Sequence, residues 1–296
     1  MRVGIVDVGS NTARLLVADV SAGDVVTVEA RKTHLGLGAE IADTGGLSEE
    51  TIAAAAAACR KQAKRALALG AVRAEVVVTA PGRQGRSSAA LVAALRERTG
   101  LPVTILSADD EGRLAFDGAV ARATGDLPEV IGVVDVGGGS TEIVVGTPRI
   151  GPAWVFSADL GSLRLTRLSL PDDPPGRRAI AQVRAAVREQ LADVRPVRPD
   201  VAFAVGGSAR ALARIVGKRF DPDEIDRLVD RLARRRSTKI ARAYGLEQTR
   251  GRTILAGAVL LAESARTLDR PLSLAAGGLR EGAALALAAE GAAVAA

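Results

Sequence analysis

Gly4-Ile-Val-Asp-Val-Gly-Ser-Asn-Thr-Ala-Arg-Leu-Leu-Val17 and Gly132-Val-Val-Asp-Val-Gly-Gly-Gly-Ser-Thr-Glu-Ile-Val-Val145 align without a gap, 128 positions apart. Asp7 matches Asp135, Gly9 matches Gly137, and β-branched runs flank both. Each copy reads as a strand ending in Asp, a tight turn of small residues, and a second strand, which is the pattern of a β-hairpin. Two copies imply an α/β chain of two related domains facing each other. The boundary is expected near Asp126, giving an N-terminal domain over 1–126 and a C-terminal domain over 127–296.

Each turn offers closely spaced backbone N–H groups with no bulky side chain in front of them, an arrangement that wraps a phosphate. The candidate phosphate-binding residues are Gly9, Ser10 and Asn11 in the first copy and Gly137, Gly138, Gly139, Ser140 and Thr141 in the second. The Asp that ends each first strand, Asp7 and Asp135, can hold Mg²⁺ through water, placing one metal between the facing loops. A third glycine pair, in Gly206-Gly207-Ser208 after an apolar strand, could add amides to the cleft. So could a fourth, Gly277-Gly278, although ordinary strand-to-helix turns account for both taken alone.

Composition narrows the chemistry. The 296 residues include one histidine (His34), one cysteine (Cys59) and 2% aromatics. A single His cannot build a multi-His metal site, and any His-dependent triad would run through His34. One Cys forbids an intramolecular disulfide. Few aromatics leave little for stacking bases, so nucleic acid is not expected as a partner. Carboxylates, hydroxyls, amides and arginines must then do the work. Arginines far outnumber the five lysines at a net charge of +6, which permits an anionic partner, since Arg grips phosphate with a planar fork. Asp7, Arg14 and Asp19 break every apolar run near the N-terminus, so neither a signal peptide nor a membrane span is expected and the protein reads as cytoplasmic.

Between the copies the pattern alternates. Strands are expected at Val25 to Ala30, Glu75 to Thr79 and Val103 to Leu106, with helices from Ser48, from Ser88 to Arg98 and from Ser107. After the second copy, Trp154 to Ser157 reads as a strand, Asp159 to Leu170 leads into a helix, and Pro171 to Gly176 is a loop. Val201 to Val205 and Leu272 to Ala275 are further strands. Arg231, Arg235, Lys239 and Arg242 fall on one face at helical spacing, either a solvated surface or a track for a polyanion. His34 reads as structural and Cys59 as a small core residue.

With these residues in place, the sequence resembles the exopolyphosphatase and guanosine pentaphosphate phosphohydrolase family, within the actin, sugar-kinase and Hsp70 superfamily. Asp7-Val-Gly-Ser-Asn and Asp135-Val-Gly-Gly-Gly-Ser-Thr-Glu142 look like its two phosphate loops. Leu35-Gly-Leu-Gly38 with Thr44-Gly-Gly-Leu-Ser48 looks like its inter-strand segment, Thr79-Ala-Pro-Gly-Arg83 like its arginine motif, and Asp110-Glu-Gly-Arg113 like its glutamate motif. The resemblance implies two actin-like (ribonuclease H-like) domains with a phosphate-binding cleft between them. It further implies Mg²⁺-dependent hydrolysis of the terminal phosphoanhydride of inorganic polyphosphate. Glu111 would activate the water, Arg83 would clamp the transferring phosphate, and Asp7, Asp135 and Glu142 would surround the metal. Guanosine pentaphosphate is an alternative substrate, an ATP-using kinase or ATPase and a non-catalytic polyphosphate or alarmone sensor are the rivals, and a homodimer is what the family suggests. Three departures stand out: Arg86-Ser87-Ser88 adds charge where many members carry Asn, Arg250-Gly-Arg252 lacks a frequent acid, and the chain resembles the short, two-domain form.

Overall fold

The computed structural model describes residues 1–295, with side chains through residue 291. It divides into two compact units, Met1–Arg122 with Gly277–Ala296, and Ala123–Ala276.

The first unit opens with a meander of β1 (Arg2–Val8), β2 (Thr12–Ser21) and β3 (Asp24–His34). There follow α1 (Leu37–Thr44), α2 (Glu49–Ala68), β4 (Arg73–Val78), α3 (Ala80–Gln84), α4 (Ser88–Thr99), β5 (Val103–Ile105) and α5 (Ala108–Ala121). Local chemistry sets these limits. Ser48 caps α2 by accepting from the Thr51 N–H, with Glu49 and Glu50 in the first turn, where the helix dipole favours acids. Ser107 caps α5 through the Asp110 N–H, and α4 stops at Gly100, whose φ of 68° is left-handed.

The second unit repeats the plan with β6 (Ile131–Val136), β7 (Thr141–Thr147), β8 (Gly151–Ala158), α6 (Ser162–Ser169), α7 (Gly176–Gln190), β9 (Val201–Val205), α8 (Gly206–Val216), β10 (Arg219–Phe220), α9 (Pro222–Leu232), α10 (Ser237–Ala243), α11 (Gln248–Thr267) and β11 (Leu272–Leu274). The sheets run β3-β2-β1-β4-β5 and β10-β11-β9-β6-β7-β8. In each, an antiparallel three-strand meander joins two parallel strands, so the duplication read from fourteen residues extends over five strands. The expected strands and helices all form, most of them shifted by a residue or two. The sequence reading assigned no helix to Leu37–Thr44, where α1 forms.

The last helix, α12 (Leu279–Ala295), corrects the expected division at Asp126. The chain leaves the first unit after Arg122 and returns to it at Gly277. The reason lies in β1, which is apolar on both faces. Val6 and Val8 pack with Leu15, Ala55, Cys59, Leu91 and Leu95 under α2 and α4. Val3 and Ile5 face the other way, against Leu16, Val77, Ala283, Ala284 and Leu287. α12 supplies that second cover, so the C-terminal stretch of the expected 127–296 domain belongs to the first unit. It packs on α5 through glycines: a Cβ on Gly118 would lie 2.0 Å from the Gly278 carbonyl oxygen, and one on Gly282 2.0 Å from that of Leu114.

The expected basic face is also corrected. α9 ends at Leu232 and α10 begins at Ser237, so Arg231 lies on one helix and Lys239 and Arg242 on another, with Arg235 between them. Buried Leu232 and Ala233 turn the chain inward, and Asp173 accepts from the Ser237 N–H at 2.7 Å and its hydroxyl at 2.6 Å. These tertiary anchors break a periodicity that carries no Pro or Gly.

Candidate active site

The β1–β2 and β6–β7 turns close identically. The Gly9 N–H donates to the Thr12 carbonyl at 3.0 Å, and the Gly137 N–H to that of Ser140 at 3.0 Å. In each unit another segment then seizes the turn's carbonyls. In the second, the Gly137 carbonyl accepts from the Ser162 N–H and hydroxyl, and the Gly138 carbonyl from the Leu163 and Arg164 N–H groups, each at 3.0 Å. The N-terminus of α6 therefore holds the loop. Because N–H and C=O of one trans peptide point in opposite directions, the Gly138 and Gly139 N–H groups aim away from α6. Gly161 permits this approach, since a Cβ there would meet the Gly138 oxygen at 2.1 Å.

In the first unit the Ser10 carbonyl accepts from the Gly38 N–H at 2.6 Å, and that of Asn11 from Leu35 and Gly36 at 2.9 and 3.2 Å. The Leu35-Gly-Leu-Gly38 motif thus does for Gly9, Ser10 and Asn11 what α6 does for the other loop. Gly36 takes a left-handed φ of 74° at the start of α1. The structure brings each set of loop candidates together within its own unit.

Arg83, at the C-terminal end of α3, and Glu111, in the first turn of α5, are direct partners. Arg83 Nη1 donates to Glu111 Oε1 and, at 2.7 Å, to the Leu106 carbonyl. Arg83 Nη2 is buried with no hydrogen-bond partner. Glu111 is 6% exposed. A guanidinium anchored through one nitrogen and presenting the other is suited to receive an anion beside the carboxylate.

On β6 and β7, Asp135 and Glu142 are cross-strand neighbours. Ser157 on β8 lies directly opposite Glu142 and donates its hydroxyl to Glu142 Oε1 at 3.0 Å. Gly206, the first residue of α8, has a φ of 85°, and a Cβ there would fall 2.3 Å from Asp135 Oδ1. The Asp135 carboxylate thus occupies the space that glycine leaves. Among the described residues no cluster of three or more His, Cys, Asp or Glu forms a metal cage. An adjacent carboxylate pair still suits Mg²⁺, which is commonly held by one or two carboxylates with waters and substrate phosphates completing the shell.

Asp7 has a different row. Its neighbours across the sheet are Arg14, followed by Lys32, where Asp135 has Glu142 and Ser157. Beneath it, Cys59 is fully buried, and that burial, reinforced by the Asp7 charge, pushes the thiol up to about 12. Cys59 is a core residue, as expected. Ser208, buried in the first turn of α8, accepts from Arg250 Nη1 at 3.3 Å. Arg252, in place of the frequent acid, donates to the Leu170 and Pro171 carbonyls behind α6. Arg86 and Ser87 bond the Thr44 and Leu47 backbone, so this departure ties down the α1–α2 loop. Ser157 and Gly161 were not singled out from the sequence; for Gly161 a signal existed, an isolated glycine opening a helix after a strand.

A family model described as the Ppx/GppA phosphatase family matches residues 16–290. The chain belongs to that family. Exopolyphosphatase 1 of Mycobacterium tuberculosis is 31% identical over 300 residues, covering 95% of this chain and 87% of the relative. Its Mycobacterium leprae counterpart is also 31% identical, with 95% and 88% covered. The crystal structure of the Aquifex aeolicus Ppx/GppA family member matches at a TM-score of 0.82 and 25% identity over 98% of both chains. An exopolyphosphatase from Cytophaga hutchinsonii shares the fold at a TM-score of 0.83 and 20% identity, covering 95% and 96%. The expected two-domain actin-like fold is therefore the fold of this Ppx/GppA chain.

Proposed function

We propose that this chain is an exopolyphosphatase, a hydrolase that releases orthophosphate from the end of inorganic polyphosphate. The observation that carries the reading is Arg83, fixed by Leu106 and Glu111 through one nitrogen and presenting a second, buried and without a partner. The full-length likeness to proteins named exopolyphosphatase supports it.

A terminal phosphate seated on Arg83 Nη2 brings its phosphorus beside the Glu111 carboxylate. Water aligned by Glu111 attacks that phosphorus, the bond to the bridging oxygen breaks, and the proton passes to the carboxylate. A weak base suffices, because the loose transition state asks mainly for positioning and charge neutralisation. Amides of the β1–β2 turn, in the same unit as Arg83 and Glu111, would bind non-bridging oxygens. Asp135 and Glu142 would hold Mg²⁺, with Asp7 as the first unit's matching carboxylate, and the ion would neutralise phosphate charge. No helix among the described residues is long and apolar enough to cross a membrane. A cytoplasmic homodimer is part of the same proposal, and sedimentation of the purified chain tests the dimer.

The deciding experiment compares wild type with Glu111→Gln for phosphate release from polyphosphates, guanosine pentaphosphate and ATP. Release from polyphosphate, reduced about 10³-fold in the variant, is expected for loss of a general base. Equal release by both removes Glu111 from its role. Faster release from guanosine pentaphosphate reassigns the substrate, ATP-dependent phosphorylation of a sugar reassigns the enzyme as a kinase, and binding without release makes it a sensor.

A further inference from the structure

We propose that Ser157 is a positioning residue that sets the Glu142 carboxylate for a divalent cation. The inference rests on the reading that Asp135 and Glu142 take that ion. Val205, Asp135, Glu142 and Ser157 form one row across four adjacent strands. Val134, Ile143 and Phe156, one residue away on their strands, join the core on the opposite face, so strand alternation turns Ser157 towards the carboxylates. Glu142 is 2% exposed. A long carboxylate held that far from solvent needs a donor to fix it, and the Ser157 hydroxyl reaches Oε1 at 3.0 Å.

The chemistry of the donor matters. In the first unit the same row continues from Asp7 to Arg14 and Lys32, both cationic. In the second, the corresponding places hold an acid and a neutral hydroxyl. A cation in the place of Ser157 would offset the charge that attracts a metal. A hydroxyl orients the carboxylate and brings no charge of its own. Losing a hydrogen-bond partner of a metal ligand typically weakens metal affinity about 10- to 100-fold. The two related sheets thus differ at the places next to the matching Asp, two basic side chains in one and an acid with a hydroxyl in the other.

Ser157→Thr and Ser157→Val test this at nearly equal volume, with and without the hydroxyl. Mn²⁺ binding to the full chain is followed by the electron paramagnetic resonance of free Mn²⁺, alongside melting temperature and the Mg²⁺ concentration giving half-maximal phosphate release. Ser157→Val should weaken Mn²⁺ binding about 10-fold and shift the Mg²⁺ requirement upwards by a similar factor. Ser157→Thr should stay within about 2-fold of wild type, since it keeps the donor. Unchanged Mn²⁺ affinity in Ser157→Val overturns the inference, as does a Thr variant as weak as Val, or a wild type that takes up no Mn²⁺. Should Ser157→Val melt early, Ser157→Ala replaces it with the same expectations. A wild type that binds Mn²⁺ in a Ser157-dependent way yet releases no phosphate leaves this inference standing and sinks the exopolyphosphatase reading.

Discussion

Replacing Gly206 by alanine separates stability from function at one atom. Two costs arise. The φ of 85° is left-handed and open to glycine, and an L-residue there costs about 1–2 kcal/mol. The new Cβ would sit 2.3 Å from Asp135 Oδ1, an overlap relieved by turning the Asp135 side chain off its rotamer for about 1 kcal/mol. The sum is about 2–3 kcal/mol, which lowers the melting temperature by about 4–12 °C for a unit of this size. Function suffers more, because the atom that moves belongs to the carboxylate proposed for the metal. A displacement of about 1 Å there can cost about 10²-fold in kcat/KM. A cycle with Asp135→Ala isolates the clash: with the carboxylate gone, Gly206→Ala should cost only the backbone part, a coupling of about 1 kcal/mol. Melting curves and phosphate release on the four proteins provide the assay. A single Gly206→Ala variant with wild-type melting and activity within about 2-fold would refute the reasoning. Strict additivity in the cycle would show that the Cβ never meets Asp135.

Two other predictions concern the first unit. Gly118→Ala meets backbone where Gly206→Ala meets a side chain, so α5 and α12 must separate; a loss above about 3 kcal/mol in denaturant unfolding is expected, and a wild-type midpoint would contradict the close packing. Glu29 is held at about 2 by Arg65 first and by Arg31, so its folded value lies below its unfolded one. Its stabilising effect is complete above the unfolded value of 4.5 and fades as pH falls from there through about 2. The melting difference between wild type and Glu29→Gln should shrink over that window, and a difference that persists undiminished at its acid end would count against the pairing.

The hairpins were legible because a strand, an acid and a run of small residues are local signals, and because the chain states them twice. Ser48, Ser107 and Gly100 mark helix ends for the same local reason. What escaped is non-local. Nothing in the sequence alone couples Arg83 to Glu111 across 28 positions, although each was singled out by resemblance. The 231–242 stripe kept its period through a turn that burial of Ala233 and the Asp173 bonds impose from elsewhere. α1 was hidden by Gly36 and Gly38, which weaken a helix pattern and whose N–H groups bond the first phosphate loop. Ser157 gave no signal, since a serine on an edge strand is commonplace until its neighbour is known. The placement of α12 did leave one: β1 reads Val3, Ile5, Val6, Val8, apolar on both sides, while the helices next to it in sequence cover a single face.

That placement bears on how the protein is born. The helix that seals the Val3 and Ile5 face is translated after the whole second unit, so the first sheet emerges from the ribosome with one side open. The later unit can mature while the earlier one waits. A nascent chain halted at Ala276 would contain every residue of the second unit and still present Val3, Ile5, Leu16 and Val77 to water, a surface for chaperones to guard.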